Sequence, residues 1–329
     1  MILPKNLMFK DICMNKKCYI GLDCGGTKIA AALFDDEGTL LKEDKVLLDG
    51  VGGKAAAEKL LHVLDLMQDH AENMGLTPIS LGVCIPGIVY HDSGKVWAPN
   101  IHDWDNYPLL DDIISHVPEG FPVSIDSDRA CYILGETWRG AAKGSKNAIF
   151  VAVGTGIGAG ILCDGKIIRG HGDIAGATGW MALQRPYDNK FDACGNFEYY
   201  ASGDGIARTA KEIIEMIDAY DGDLDYAGLR SEDVFAAYEK GDPVASATFD
   251  QCIELWGMAV ANYVSLFNPE KIILGGGVFG PAVQFISRIM EEAKKWAQPI
   301  SITQVTLEAT QLGKHAGLIG AGRLAMLNA

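Results

Sequence analysis

Two short glycine turns stand out for the chemistry they would support. Asp23-Cys24-Gly25-Gly26-Thr27-Lys28 follows the apolar run Tyr19-Ile20-Gly21-Leu22, and Gly154-Thr155-Gly156-Ile157-Gly158 follows the apolar run 148–153. Glycine lets backbone N–H groups approach a phosphate closely, while Thr27 adds a hydroxyl and Lys28 a cation. Two such turns, each joining two strands, suggest two lips of one phosphate clamp. Asp23 would hold Mg²⁺ there through water. Taken singly, either turn also reads as an ordinary tight hairpin. Neither is a P-loop, because no Gly-x-x-x-x-Gly-Lys-Ser/Thr opens a helix.

A third run, Gly275-Gly276-Gly277, follows a strand-like segment and is expected to open a helix. Three glycines there would let a flat ring such as adenine lie on the backbone; tight strand-to-helix packing is the plainer alternative. Asp128 falls between an expected strand at 123–125 and an expected helix at 128–139. A carboxylate at that junction can accept the proton of a hydroxyl attacking a γ-phosphate. It can equally be a helix N-cap, and Asp126 competes for that role and is a weaker candidate base. Position alone does not choose between them.

These residues need a scaffold. The opening reads as a β-meander with strands at 17–23, 29–34 and 39–48. A helix at 54–74 follows from the spacing of Leu60, Leu61, Leu64 and Met67. A buried strand at 79–85 stops at Pro86-Gly87, and a helix is expected at 109–117. The second half repeats the opening arrangement, with strands at 148–153, 159–163 and 166–169. An irregular, site-forming stretch at 174–205 comes next. Helices at 205–220, 243–267, 282–297 and 315–327 and strands at 270–274 and 302–308 complete the reading. Strands then helices in both halves predict two α/β lobes facing a cleft.

Bulk properties narrow the function classes. The 329 residues, 48% apolar, suffice for two domains, and the net charge of −15 disfavours a nucleic-acid grip. No apolar run approaches the ~18 to 20 residues that span a bilayer. Eight scattered cysteines read as reduced thiols of a cytoplasmic protein. Residues 1–17 read as a leader with no cleavable signal, and Met14 is an alternative start.

In order and spacing, Asp23 to Lys28, Pro86-Gly87, Asn100 to Trp104, Asp128, Gly154 to Gly158, Glu198 to Gly203 and Gly275 to Gly277 resemble the ROK family of repressors and sugar kinases, over roughly residues 18 to 329. That family belongs to the superfamily of actin, hexokinase and heat-shock ATPases. The resemblance implies two actin-like (ribonuclease H-like) lobes, 18–125 with 315–329 and 126–314. It implies ATP and Mg²⁺ as co-substrate and metal, with Gly25, Gly26, Thr27 and Lys28 as the first phosphate loop. Gly154, Thr155, Gly156 and Gly158 would be the second, and Gly275, Gly276 and Gly277 the adenosine segment. Asp128, eight residues before Glu136, matches the family's catalytic Asp. Asn100 and Glu198 match sugar-binding positions, with the sugar under Pro86 and Gly87. A homodimer is a common state in the family.

The departures carry equal weight. Members usually have Gly-Glu-x-Gly-His, whose Glu and His touch the sugar and whose His also binds zinc. Here the stretch is Gly176-Ala177-Thr178-Gly179-Trp180, and the cysteine cluster is reduced to Cys194. One Cys cannot build a four-coordinate site, so no zinc is expected. Trp180 is expected to fill core space rather than stack on a sugar. The resulting expectation is a hexose kinase acting at O6, with glucose, mannose, fructose, N-acetylated hexosamines and allose all open. The rival is a non-catalytic sugar or nucleotide sensor. The 22 residues before Asp23 leave no room for the winged helix of family repressors, which disfavours direct DNA control.

Overall fold

The first glycine turn joins two strands of a twisted five-stranded sheet in the computed structural model, which describes residues 16–329. β1 (Lys16–Cys24) pairs antiparallel with β2 (Lys28–Phe34), and β2 with β3 (Leu40–Leu47). Cys18 to Leu22 are all buried, as in a strand covered on both faces. α1 (Gly53–Asn73) covers one face with Ala56, Leu60, Val63, Leu64 and Met67, spaced by three and four residues. The chain returns as β4 (Leu76–Ile85), parallel to β1. β5 (Ile88–Tyr90), β6 (Lys95–Trp97) and β7 (Asp105–Tyr107) form a separate antiparallel sheet. α2 (Leu109–His116) then leads to β8 (Val123–Ser127), parallel to β4.

α3 (Asp128–Arg139) carries the chain into a second sheet of the same design. β9 (Ala148–Val153), β10 (Ile157–Cys163) and β11 (Lys166–Ile167) form its meander. α4 (Asn196–Ala201), α5 (Gly203–Glu215), α6 (Ser231–Glu239) and α7 (Pro243–Phe267) follow. β12 (Lys271–Gly275) lies parallel to β9; after α8 (Ile286–Trp296), β13 (Thr306–Ala309) lies parallel to β12, and α9 (Ala316–Leu327) ends the chain. The strand orders, β3-β2-β1-β4-β8 and β11-β10-β9-β12-β13, are one connectivity used twice. The duplication read from the sequence is therefore present in the topology.

Each sheet has its own core. Leu60, Leu64, Val83 and Trp104 belong to the first, and Phe235, Phe249, Phe285 and Trp256 to the second. α3 and α9 lie between them. Cys131 and Leu134 of α3 pack with Ala321 and Leu324 of α9 and Cys84 of β4, while Ile133 packs with Phe150 of β9. α9 is tied to the first sheet, where the buried Ser80 hydroxyl donates to the Ala325 carbonyl at 2.8 Å.

Several expectations change in detail. The glycine run after β12 does not open a helix: a turn and a 3-10 segment, Pro281–Phe285, precede α8. Segment 174–205 contains α4 and the first residues of α5. The third strand of the second meander stops at Ile167, and Arg169 turns toward Asp126. The expected leader, 1–17, lies outside the described residues apart from Lys16 and Lys17, which begin β1. The small three-stranded sheet and α6 have no counterpart in the sequence reading, because strands of three residues carry too little alternation to register. No described helix is long and apolar enough to cross a membrane.

Candidate active site

The carboxyl ends of β1, β4 and β8 meet the β9–β10 turn around a cavity of about 930 Å³. Ligands of open parallel sheets gather at such strand ends, where backbone groups are left unpaired. Asp23, Pro86, Gly87, Asn100, Asp128, Gly154, Thr155, Gly156, Gly158, Glu198, Gly276 and Gly277 all line it. The first turn is placed differently. Gly25, Gly26, Thr27 and Lys28 stand outside these walls, with Thr27 and Lys28 exposed. Their hairpin is closed by the Gly25 N–H donating to the Lys28 carbonyl at 2.9 Å. Gly26 lies behind Asn100, where an added Cβ would come 2.8 Å from the Asn100 carbonyl oxygen. Gly275 also stands back, facing the Phe150 ring.

Asp128 is the first residue of α3, and it does not cap the helix. Ser127 does so, its hydroxyl accepting from the Ala130 N–H at 3.3 Å. One Asp128 oxygen accepts from the Arg129 N–H at 2.8 Å. Burial pushes the carboxyl up to about 6, and the Arg129 cation and N–H hold back part of that rise; the nearby Asp23 charge adds to it. Tyr132, one helical turn on, lines the same cavity and lowers this carboxyl slightly. Asp126 is otherwise engaged. It is buried, and the Arg169 guanidinium donates to one of its oxygens at 2.5 and 3.2 Å. That ion pair removes it as a base.

Glu198, in the first turn of α4, accepts from the Ile157 N–H at 2.6 Å and so ties that helix to the second glycine turn. Burial raises its carboxyl, opposed by the Ile157 N–H and Arg208. The space it needs is left by two glycines: a Cβ on Gly156 or on Gly179 would sit 2.7 Å from its Oε2. Burial likewise raises Asp23, against a hydrogen bond from Cys84 and the Lys28 charge. Asp23 and Asp128 thus face one cavity as two carboxylates near each other. That donor set suits a hydrated divalent cation.

Trp180 is not core. Its indole is over half exposed and lines the cavity. In the 3-10 turn Thr178–Trp180 the buried position goes to Gly179, against Glu198, and the indole is turned outward. Cys194 lies 4.0 Å from the Arg208 guanidinium. Among the described residues, no group of three or more His, Cys, Asp or Glu is placed to hold a metal ion.

The sequence reading missed part of the site. Arg129, Tyr132, Thr310 and Lys314 line the cavity, and Lys314 follows Gly313 just before α9. A second cavity of about 920 Å³ shares Gly154, Thr155 and Gly277 with the first and runs between α5 and α6, past Arg208 and Phe235. A ring in that second space would have the turn Gly154 to Gly156 at its exit.

Two sheets of one connectivity, with a cleft at their strand ends and α3 and α9 between them, define the actin-like (ribonuclease H-like) class of α/β proteins. The ROK family model matches residues 19–327, and the chain belongs to that family. A glucokinase from Halalkalibacterium halodurans is 32% identical over 321 residues, covering 94% of this chain and 96% of that one. A ROK family glucokinase from Streptomyces griseus, solved with glucose and AMPPNP, is 31% identical with a TM-score of 0.70, over 94% of this chain and 99% of that one. The ROK hexokinase from Thermus thermophilus is 28% identical with a TM-score of 0.78, over 94% and 98%.

Proposed function

We propose that the chain is an ATP-dependent sugar kinase that phosphorylates a hexose or hexose derivative at O6, with Asp128 as general base. The observation that carries this reading is the opening of the Asp128 carboxyl into the cavity that also holds the Gly154 to Gly158 turn. Adenosine would occupy the space between α5 and α6 and cross Gly276 and Gly277. Its phosphates would run over Gly154 to Gly156 toward Asp128. Mg²⁺, held by Asp23 through water, would neutralise charge on the phosphates. Asn100 and Glu198 would bind sugar hydroxyls beneath Pro86 and Gly87.

In the reaction the sugar hydroxyl oxygen bonds to the γ-phosphorus as the bond to the β–γ bridging oxygen breaks. Its proton passes to Asp128, and ADP leaves. Such transfers depend mainly on position and charge stabilisation, which rigid strand ends supply. The exposed first turn, Gly25 to Lys28, would reach the phosphates when the lobes (18–125 with 315–329, and 126–314) close and exclude water. The seven described cysteines are all free, which fits a reducing compartment such as the cytoplasm.

Asp128→Asn tests the assignment. In a coupled assay for ADP, phosphoryl transfer is expected to fall ~10² to 10⁴-fold, the range for a positioned acid–base group, while ATP still binds. Turnover near that of the unchanged protein would remove Asp128 as the base.

A further inference from the structure

The segment between β13 and α9 crosses the cleft from the triple glycine to Asp23. It begins beside β12, where the Thr310 N–H donates to the Leu274 carbonyl at 2.9 Å, one residue before Gly275. It ends against the other lobe, where a Cβ on Gly317 would come 2.7 Å from the Asp23 Oδ2. Lys314 lies between these two ends and lines the same cavity as Asp128, Thr155 and Gly277. A triphosphate laid from Gly276 and Gly277 toward Asp23 and Asp128 would pass this side chain.

A buried carboxylate holds the turn that carries Lys314. Glu136, on α3 and 0% exposed, accepts from the Thr310 hydroxyl and, at 3.2 Å, from the Leu312 N–H. Its other oxygen accepts from the Ala141 N–H at 2.7 Å. The Thr310 hydroxyl oxygen in turn accepts from the Gly313 N–H at 3.0 Å. Opening this turn would strip a buried charge of two donors, which fixes its shape. Lys314 itself is uncommitted. Its neighbour His315 faces Glu43 at 3.9 Å, whereas Lys314 has no carboxylate partner among the described residues. Among those residues, the charged side chains lining the cavity are Asp23, Asp128 and Glu198 against Arg129 and Lys314. The Arg129 stem backs onto Gly158, where a Cβ would come 2.8 Å from its Cδ. Lys314 is the cation on the segment bonded to β12 and its glycines. A polyanion entering beside three carboxylates requires compensating charge, and an ammonium on a flexible stem serves a phosphate as a point charge.

We propose that Lys314 binds the β- and γ-phosphates of the nucleotide, with Glu136 as the positioning residue that holds its turn. The effect on transfer rests on the kinase reading; the effect on binding does not. The full-length protein would be titrated calorimetrically with ATP and with AMP in the presence of Mg²⁺. Lys314→Ala is expected to weaken ATP about 10- to 100-fold, the scale of a hydrogen bond between charged groups. AMP, which carries neither of these phosphates, should stay within about twofold. Lys314→Arg keeps the charge and is expected to weaken ATP by no more than about fivefold. Lys294→Ala removes an exposed lysine of α8 outside the cavity and is expected to change neither affinity. Glu136→Gln should weaken ATP by about three- to tenfold alone, but by less than about twofold when added to Lys314→Ala, since a positioning effect vanishes with the group positioned. A Glu136 that merely supports the fold would cost ATP equally in both backgrounds, and that result would remove it from the proposal. The Lys314 variants decide the phosphate contact whether or not the Glu136 variant folds. Equal losses of ATP and AMP in Lys314→Ala, or no loss of ATP, would overturn it. ADP release would be followed in parallel with glucose, mannose, fructose, N-acetylglucosamine and allose, where kcat/KM for ATP is expected to fall in Lys314→Ala by at least the factor lost in affinity. If none of the five sugars yields ADP, the kinase reading fails, while a loss confined to ATP in Lys314→Ala still upholds the phosphate contact. An unchanged protein that binds neither nucleotide would overturn both.

Discussion

In the proposed reaction Asp128 takes the hydroxyl proton, and its environment predicts a pH dependence. Burial raises its carboxyl from 3.8 to about 6. A general base works only when unprotonated, so kcat/KM for the sugar should rise with pH through about 6 and then level. At pH 5 it should lie about tenfold below the plateau, one unit under the apparent pKa of the free enzyme. A profile flat from pH 5 to 8 would contradict this. The same shift has a stability consequence of opposite benefit. Because the folded state holds this proton more tightly than the unfolded chain, ionising Asp128 disfavours the fold, and the penalty develops as pH rises from about 3.8 through about 6. Asp128→Asn is therefore expected to raise the thermal midpoint at pH 8 and to leave it nearly unchanged at pH 4. An equal shift at both values would mean that packing, not charge, sets the difference.

At the scale of elements, the decisive joint is between α4 and the β9–β10 turn. Glu198 reaches Ile157 N–H only because Gly179 leaves room, and an added Cβ would sit 2.7 Å from its Oε2 and 2.9 Å from its Cβ. Gly179→Ala should displace the carboxylate and lower kcat/KM for the sugar by about 10 to 100-fold, the effect of sub-ångström misplacement of a positioning group. ATP affinity, read by titration, should move by less than about threefold, because Gly179 lies outside the α5–α6 space and meets the second turn only at the Ile157 carbonyl oxygen, not at its glycines. Equal losses for sugar and ATP would show that the β9–β10 turn itself had moved. What the sequence disclosed follows the same division. The second glycine turn is a local pattern, with chemistry and geometry in one short segment, and its place at a cavity was legible; the first turn stands outside the cavity walls, and position alone did not separate Asp128 from an N-cap or from Asp126. Asn100 and Glu198 were legible only through family resemblance, since nothing near either residue states its partner. Trp180 was misread because the aim of one 3-10 turn, not hydrophobicity, decides its burial. The space between α5 and α6 was invisible: Arg208 and Phe235 become neighbours of Gly154 only after the second sheet has formed.

At the scale of the whole molecule, a charged joint adds to the packing of α3 and α9 between its two sheets. Asp126, on β8 of the first sheet, is buried, and its partner Arg169 follows β11 of the second. The His91 ring beside β5 bridges Asp126 at 3.8 Å and Asp173 at 2.9 Å, so the segment after β11 is held to the first lobe at two points. Asp126 lies two residues before Asp128, on the strand that delivers it to the cleft. Removing Arg169 would leave a buried carboxylate without its strongest partner. Breaking a fully buried pair costs about 3 to 5 kcal/mol, and the partly exposed guanidinium places this one lower, at about 2 to 3 kcal/mol. For a chain of this size that is roughly 5 °C in the thermal midpoint of Arg169→Met. The double variant Asp126→Asn with Arg169→Met removes the stranded charge as well and should recover at least half of the loss. A single variant with an unchanged midpoint, or a double variant no better than the single, would mean the two sheets are joined by α3 and α9 alone.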